Sequence, residues 1–236
     1  MLTLLQTNDF HGRLSSAKAD QIAVLKVPNS LYFHCGDVIR AGNLAIPLAP
    51  EAAWPLLHRA GCDASVLGNR ESHILESALQ KKIQGVSHPI LVANMVDKSG
   101  RHRFETHRIF SVAGFKVGVF GVMVPMVTTK MKTVAASAFV WEQPIPTAID
   151  IAKQLREECD MVIALTHIGL RQDRELAAAT NDIDIILGGH SHDLLTQPEM
   201  VGKTAICQTG SHGKFVGRYQ WDGSLVASEL IPLHEA

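Results

Sequence analysis

Short apolar runs alternate with amphipathic stretches along all 236 residues, and this alternation restricts the fold more than any other feature. It is the pattern of an α/β chain, in which buried strands are separated by covering helices. Strands are expected over Leu2–Gln6, Leu31–His34, Ala64–Leu67, Ile90–Ala93, Val117–Val122, Met161–Leu165 and Ile183–Leu187. Apolar residues recur at helical spacing over Ala17–Leu25, Pro50–Ala60, Ile74–Ile83, Pro146–Cys159 and Gln172–Ala179. Pro50 and Pro146 suit first helical turns. Ala113-Gly114 and Asp222-Gly223 lie between apolar segments and read as hairpin turns, so a mixed sheet system with antiparallel edges is expected. A last strand is expected near Leu230–Leu233. No repeat, low-complexity run or linker interrupts the chain, so a single domain over residues 1–236 is expected.

The formal net charge of −1 offers no basic surplus for nucleic acid, and no Lys/Arg run suits a membrane surface. No stretch approaches the ~18 consecutive apolar residues of a bilayer span. The N-terminus lacks a basic segment and a small-residue cleavage site, so a cytoplasmic protein is expected. Cys35, Cys62, Cys159 and Cys207 are far apart and form no CxxC pair, which argues against both disulfides and a thiolate metal site.

The chain carries 12 histidines, and their positions carry the chemistry. Asp9 and His11 follow the first apolar run, Asp37 the second, and Asn69 the third. His167 follows the run at Met161, and His190 and His192 the run at Ile183. Taken singly, each motif is commonplace: Gly-Asp and Gly-Asn are turn pairs, and a lone histidine is usually structural. All five together at strand ends point to one convergent metal site, because the carboxyl ends of parallel strands face a common crevice. Oxygen and nitrogen ligands without sulfur suit Mn, Zn, Fe, Ni or Co and disfavour an all-oxygen Mg or Ca cage. Seven candidate ligands exceed one tetrahedral site and suit two divalent ions ~3.5–4 Å apart, an arrangement that clamps a phosphoryl group.

At these residues the chain resembles the calcineurin-like metallophosphoesterases, and within them the metal-binding domain of the 5'-nucleotidase family. The similar segments include Asn8-Asp9-Phe10-His11-Gly12, Gly36-Asp37, Gly68-Asn69, Ala93-Asn94, Thr166-His167-Ile168-Gly169, Gly189-His190-Ser191-His192 and Gln208 to Lys214. The resemblance implies a metallo-dependent phosphatase-like fold, a four-layer αββα sandwich with two mixed sheets (α/β, or α+β by some schemes). It implies that Asp9, His11 and His192 hold one metal, that Asn69, His167 and His190 hold the other, and that Asp37 bridges them. A metal-bound water or hydroxide would then attack phosphorus in a small-molecule phosphate monoester or diester.

Two departures from the family pattern stand out. After Gly68-Asn69 the family has His, then Glu, then an Asp two further on; this chain has Arg70 at the His position and His73 at the Asp position. Arginine does not release its proton near neutrality, although it stabilises phosphoryl charge. Three readings stay open: Arg70 substitutes electrostatically, His73 or another histidine moves the proton, or the domain is catalytically weak or inactive. The family's nucleotide specificity also resides in a separate C-terminal domain, which is not expected here, so a nucleotide substrate does not follow. Arg13, Arg40 and His212 are candidate substrate contacts. The loop Pro125–Ala138, with Lys130 and Lys132, is a candidate lid. His34, His58, His88, His102, His107 and His234 read as structural or solvent-facing, and a homo-oligomer is left open.

Overall fold

The first apolar run forms a strand whose six residues are all buried, because both of its faces are covered. The structure is a computed structural model, and it describes residues 1–235. In chain order the elements are β1 Leu2–Thr7, α1 Ser16–Leu25, β2 Ser30–Cys35, α2 Ala53–Arg59, β3 Ala64–Val66, α3 Glu76–Lys82, β4 Met95–Asp97, β5 His107–Val112 and β6 Phe115–Met123. A 3-10 turn at Lys132–Ala135 follows, then β7 Phe139–Trp141, α4 Pro144–Arg156, β8 Met161–His167, α5 Leu170–Ala179 and β9 Ile185–Leu187. The chain continues through β10 Glu199–Val201, β11 Thr204–Cys207, β12 Phe215–Trp221 and β13 Leu225–Pro232.

Two mixed sheets result, in the orders β13-β12-β1-β2-β3 and β10-β11-β9-β8-β6-β5. In the first, β1, β2 and β3 are parallel; in the second, β6, β8, β9 and β11 are parallel. Successive strand residues point to opposite faces, so each apolar run feeds two cores. Leu4, Phe33 and Val66 of the first sheet pack against Val119, Ile163 and Leu187 of the second. On the outer face of the first sheet, Leu5 and Tyr32 lie beneath Ile22, Trp54 and Leu57 of α1 and α2. On the outer face of the second, Phe120, Ala164 and Ile186 lie beneath Ala148, Leu155 and Leu176 of α4 and α5. The layers run αββα, as the resemblance implies.

Several local expectations change. Ile90–Ala93 is not a strand but is held by isolated bridges. Its hydrogen bonds are divided, Leu91 N donating to Ser65 O and Ala93 N to Gly121 O, so no continuous ladder forms. Pro50 lies outside α2, which begins at Ala53; the carboxylate of Glu51 is engaged by the backbone N–H groups of Arg40 and Ala41. Pro144 rather than Pro146 opens α4. The strand expected near Leu230–Leu233 is the far end of β13, the hairpin strand. The ribbon β4/β7 and the hairpin β10/β11 were not foreseen. Among the described residues all four cysteines are free, and no helix is long and apolar enough to cross a membrane.

His88 is buried, with Nε2 2.9 Å from Ser65 Oγ and its ring beside Trp54. Burial, aided by His58, pushes its pKa down from 6.5 to about 4. The unfolded chain therefore binds this proton below about pH 6.5 while the folded chain does not. Stability is fully present above that pH and falls as the pH drops towards about 4, by up to about 1.4 kcal/mol per pH unit. Asp173, raised from 3.8 to about 7 by burial, acts with the opposite sign across this whole window, so the test is comparative. Urea unfolding of the metal-free protein at about pH 7 and about pH 5 should show His88→Gln losing roughly one proton's worth of this slope; an unchanged slope would count against the assignment.

Candidate metal centre

Stacking the two sheets brings the carboxyl ends of β1, β2 and β3 opposite those of β8 and β9. The five loops thus converge from two facing sheets, not along one edge of a single open sheet. Asp9 is fully buried after β1, Asp37 is buried after β2, and His167 is the buried last residue of β8. His11, Asn69, His190 and His192 close the cluster on its solvent side.

The nitrogen and oxygen atoms of these side chains face one another. His11 Nε2 lies 2.8 Å from His192 Nε2, and Asp9 Oδ1 lies 3.6 Å from the first and 3.3 Å from the second. His167 Nδ1 donates to Cys35 O at 2.8 Å and therefore carries a proton. Its Nε2 then faces Asp37 Oδ1 at 3.6 Å and Asn69 Oδ1 at 3.2 Å. His190 Nδ1 lies 2.9 Å from the same Asn69 oxygen. Asp9 Oδ1 and His11 Nδ1 are buried without a hydrogen-bond partner. Acceptors brought together in this way call for a cation, and the donor set fits a divalent metal. Ligand atoms of Asp9, His11 and His192, and separately of Asp9, Asp37 and His167, lie within 4.8 Å of one another. Asp9 belongs to both groups, so it is as central as Asp37. Burial pushes Asp37 up, but His167 outweighs this and holds it at about 2; Asp37 in turn holds His167 up at about 9 against its burial. Without a metal, the cation facing Asp37 is therefore a proton on His167 Nε2, which a bound metal would displace. Burial lowers His11 to about 4.

The loops adopt costly conformations. Among the described residues, six of the eight non-glycine residues at positive φ are Asp9, His11, Asp37, His190, His192 and His212. Such backbone costs about 1–3 kcal/mol per residue and persists only where its surroundings enforce it. Gly36, at φ +80°, is required on two counts, since a Cβ there would lie 2.6 Å from His167 Nδ1.

Glu71 and Lys82, which sequence reasoning did not single out, supply part of that enforcement. Buried Glu71 accepts from the backbone N–H groups of Asp37, Ile39 and Gly68. Buried Lys82 donates to the carbonyls of Gly42, Asn43 and Arg70. Asn43 Oδ1 in turn accepts from Asn69 Nδ2 at 2.9 Å. Glu71 had a sequence signal, its place after Gly68-Asn69-Arg70; Lys82 lay in a helical stretch and had none.

Of the other candidates, Arg70 Nε is 4.0 Å from Asp37 Oδ2, and its backbone N–H donates to Asp37 Oδ1. His212 is brought in: its N–H donates to Asp9 O, and its ring centroid lies 5.3 Å from that of His11. Arg13 and Arg40 are exposed beside the cluster, and the Arg40 carbonyl accepts from Arg70 Nη1. His73 is buried at the head of α3, where its Nδ1 accepts from Leu75 N; no hydrogen bond or ion pair links it to the cluster among the described residues. Lys130 and Lys132 are exposed, and their loop is tied back by Ala138 N donating to Ile74 O.

The calcineurin-like phosphoesterase family model matches residues 2–194, and proteins of that family use divalent metals. Protein 5NUC of Lutzomyia longipalpis is 34% identical over 91% of this chain and 44% of its own length. A 5'-nucleotidase of Vibrio vulnificus is 27% identical over 99% of this chain and 52% of its own length. The solved structure of the sulfate thiohydrolase SoxB of Thermus thermophilus superposes with a TM-score of 0.83 at 20% identity, over 98% of this chain and 56% of that one. The chain spans about half the length of these relatives.

Glu71→Ala removes the acceptor of three buried N–H groups. It should lower the unfolding free energy by about 2 kcal/mol or more in urea. A variant as stable as the parent would show that the loops do not depend on Glu71.

Proposed function

The chain belongs to the calcineurin-like phosphoesterase family, and from that premise we propose that it hydrolyses phosphate monoesters or diesters of small molecules at a two-metal centre. The observation that carries this reading is the inward convergence of acceptor atoms from Asp9, His11, Asp37, Asn69, His167, His190 and His192, with Asp9 Oδ1 orphaned among them. Asp9, His11 and His192 would hold one metal, Asn69, His167 and His190 the other, and Asp37 would bridge them. Bound divalent ions lower the pKa of water and take up charge on phosphoryl oxygens.

The chain's own residues orient and complement that chemistry. Cys35 O fixes the tautomer and ring plane of His167. Arg70, half-buried beside Asp37, offers a fixed positive charge to the phosphoryl group but no proton to a leaving oxygen. Esters whose leaving group needs little protonation are therefore favoured. His212 faces the same space, and Arg13 and Arg40 add positive charge on the rim. A catalytically weak or inactive domain is the second reading, and Arg70 in place of histidine is what favours it. The Vibrio relative is named a 5'-nucleotidase, so nucleotides belong among the trial substrates.

Protein loaded with Mn, Zn, Ni or Fe(II) should take up two metals per chain and turn over p-nitrophenyl phosphate or its bis ester. Two bound metals without turnover on these or on nucleotides would select the inactive reading. Asp37→Ala should lower turnover by about 10²-fold or more and weaken retention of both metals; a fully active variant would remove the bridging role. Arg70→His should raise rates on alkyl phosphates by about 10²-fold while changing p-nitrophenyl phosphate turnover little. Equal effects on both substrates would refute the account of Arg70.

A further inference from the structure

Behind the histidines lies a chain of polar groups, Thr166, Asp173 and Gln208 buried and Ser191 at its exposed end, whose side chains make no hydrogen bond to any of the seven candidate ligands. Thr166, next to His167, donates from Oγ1 to Asp173 Oδ1 at 2.6 Å. Gln208, just after β11, donates from Nε2 to Asp173 Oδ2 at 3.0 Å. Ser191, between His190 and His192, donates to Gln208 Oε1 at 3.2 Å, and its Oγ accepts from Leu170 N at the start of α5. Asp173 is fully buried, and neutral donors engage both of its oxygens. The His190 loop also passes directly against it: a Cβ on Gly188 would lie 2.3 Å from Asp173 Oδ2. One carboxyl group on α5 thus ties the end of β8 to the loop after β9.

We propose that Asp173 is a positioning residue that sets the spacing between His167 and the His190–His192 pair, through Thr166 on one side and Gln208–Ser191 on the other, and thereby governs divalent-metal affinity. The inference rests on the metal-centre reading above. A carboxylate is needed because the position must accept twice. An amide has one acceptor, so it leaves one buried donor unpaired whichever way it is turned, either the Gln208 amide or the Thr166 hydroxyl. Turning Gln208 over would make Ser191 Oγ accept from it as well as from Leu170 N, and would give up the contact from Gln208 Nε2 to Gly189 O. Exchanging the two groups restores every partner but the long 3.5 Å contact to Gly189 O: in Asp173→Asn with Gln208→Glu, the new amide accepts from Thr166 and donates to the new carboxylate, which still accepts from Ser191.

The test is a set of Mn(II) and Zn(II) binding isotherms on chelator-stripped protein, with melting of the metal-free forms as a control. Asp173→Asn and Gln208→Glu should each weaken binding by about 10–100-fold. The double variant should return to within about threefold of the parent, a rescue that loss of packing alone would not produce. Single variants that bind like the parent, or a double variant as weak as the singles, would overturn the proposal. If Asp173→Asn does not fold, Gln208→Glu and the double variant still decide it. A parent protein that takes up no metal would overturn the metal-centre reading along with this one, whereas a binding parent with unaffected variants would sink this proposal alone.

Discussion

Two carboxylates, Asp9 and Asp37, sit between two apolar sheets with almost no access to water. Burying an ionised carboxylate costs several kcal/mol unless donors or cations surround it, and the loops around them are arranged accordingly. Asp9 Oδ2 accepts from the Asn8 amide and from His190 N. Asp37 Oδ1 accepts from Arg70 N and faces His167. Each acid is thus met by its own sheet and by the other. Five of the seven residues that reach inward, Asp9, His11, Asp37, His190 and His192, do so from left-handed backbone, a local strain that the surrounding hydrogen bonds must outweigh.

The next layer divides the remaining backbone groups by chemistry. Sharp turns leave N–H and C=O groups without strand or helix partners, and buried ones must be satisfied. On the first sheet, Glu71 collects orphan N–H groups and Lys82 collects orphan carbonyls. An acid and a base, neither of them a ligand, hold opposite sides of the same pair of loops. On the second sheet Asp173 stands in the corresponding place, joined to Thr166 and Gln208. Rigid support on both sides gives flexible imidazole and carboxylate groups one shared geometry.

Much of this was legible in the chain. The apolar runs located β1, β2, β6 and β8 because strands buried on both faces have little choice of residue. The ligands were visible because each stands at a strand end beside a turn, and the Asp222-Gly223 hairpin was visible from its turn pair. Ile90–Ala93 misled because an apolar run reports burial, and its backbone pairs with two different neighbours in turn. Pro50 misled because the carboxylate of Glu51 is drawn to two N–H groups that were distant in sequence.

The sequence by itself determined the α/β class, through its alternating apolar runs, and the identity of the converging side chains, through their places at strand ends; the αββα layering was implied by the family resemblance, not by local spacing. The tertiary structure alone decided that the five loops meet across two sheets, that Asp9 shares the centre with Asp37, and that Arg70 rather than His73 faces it. It also decided which buried groups, Glu71, Lys82 and Asp173, keep the loops in place. Those outcomes depend on contacts between residues far apart in the chain, and no local pattern encodes which buried donor will find which acceptor.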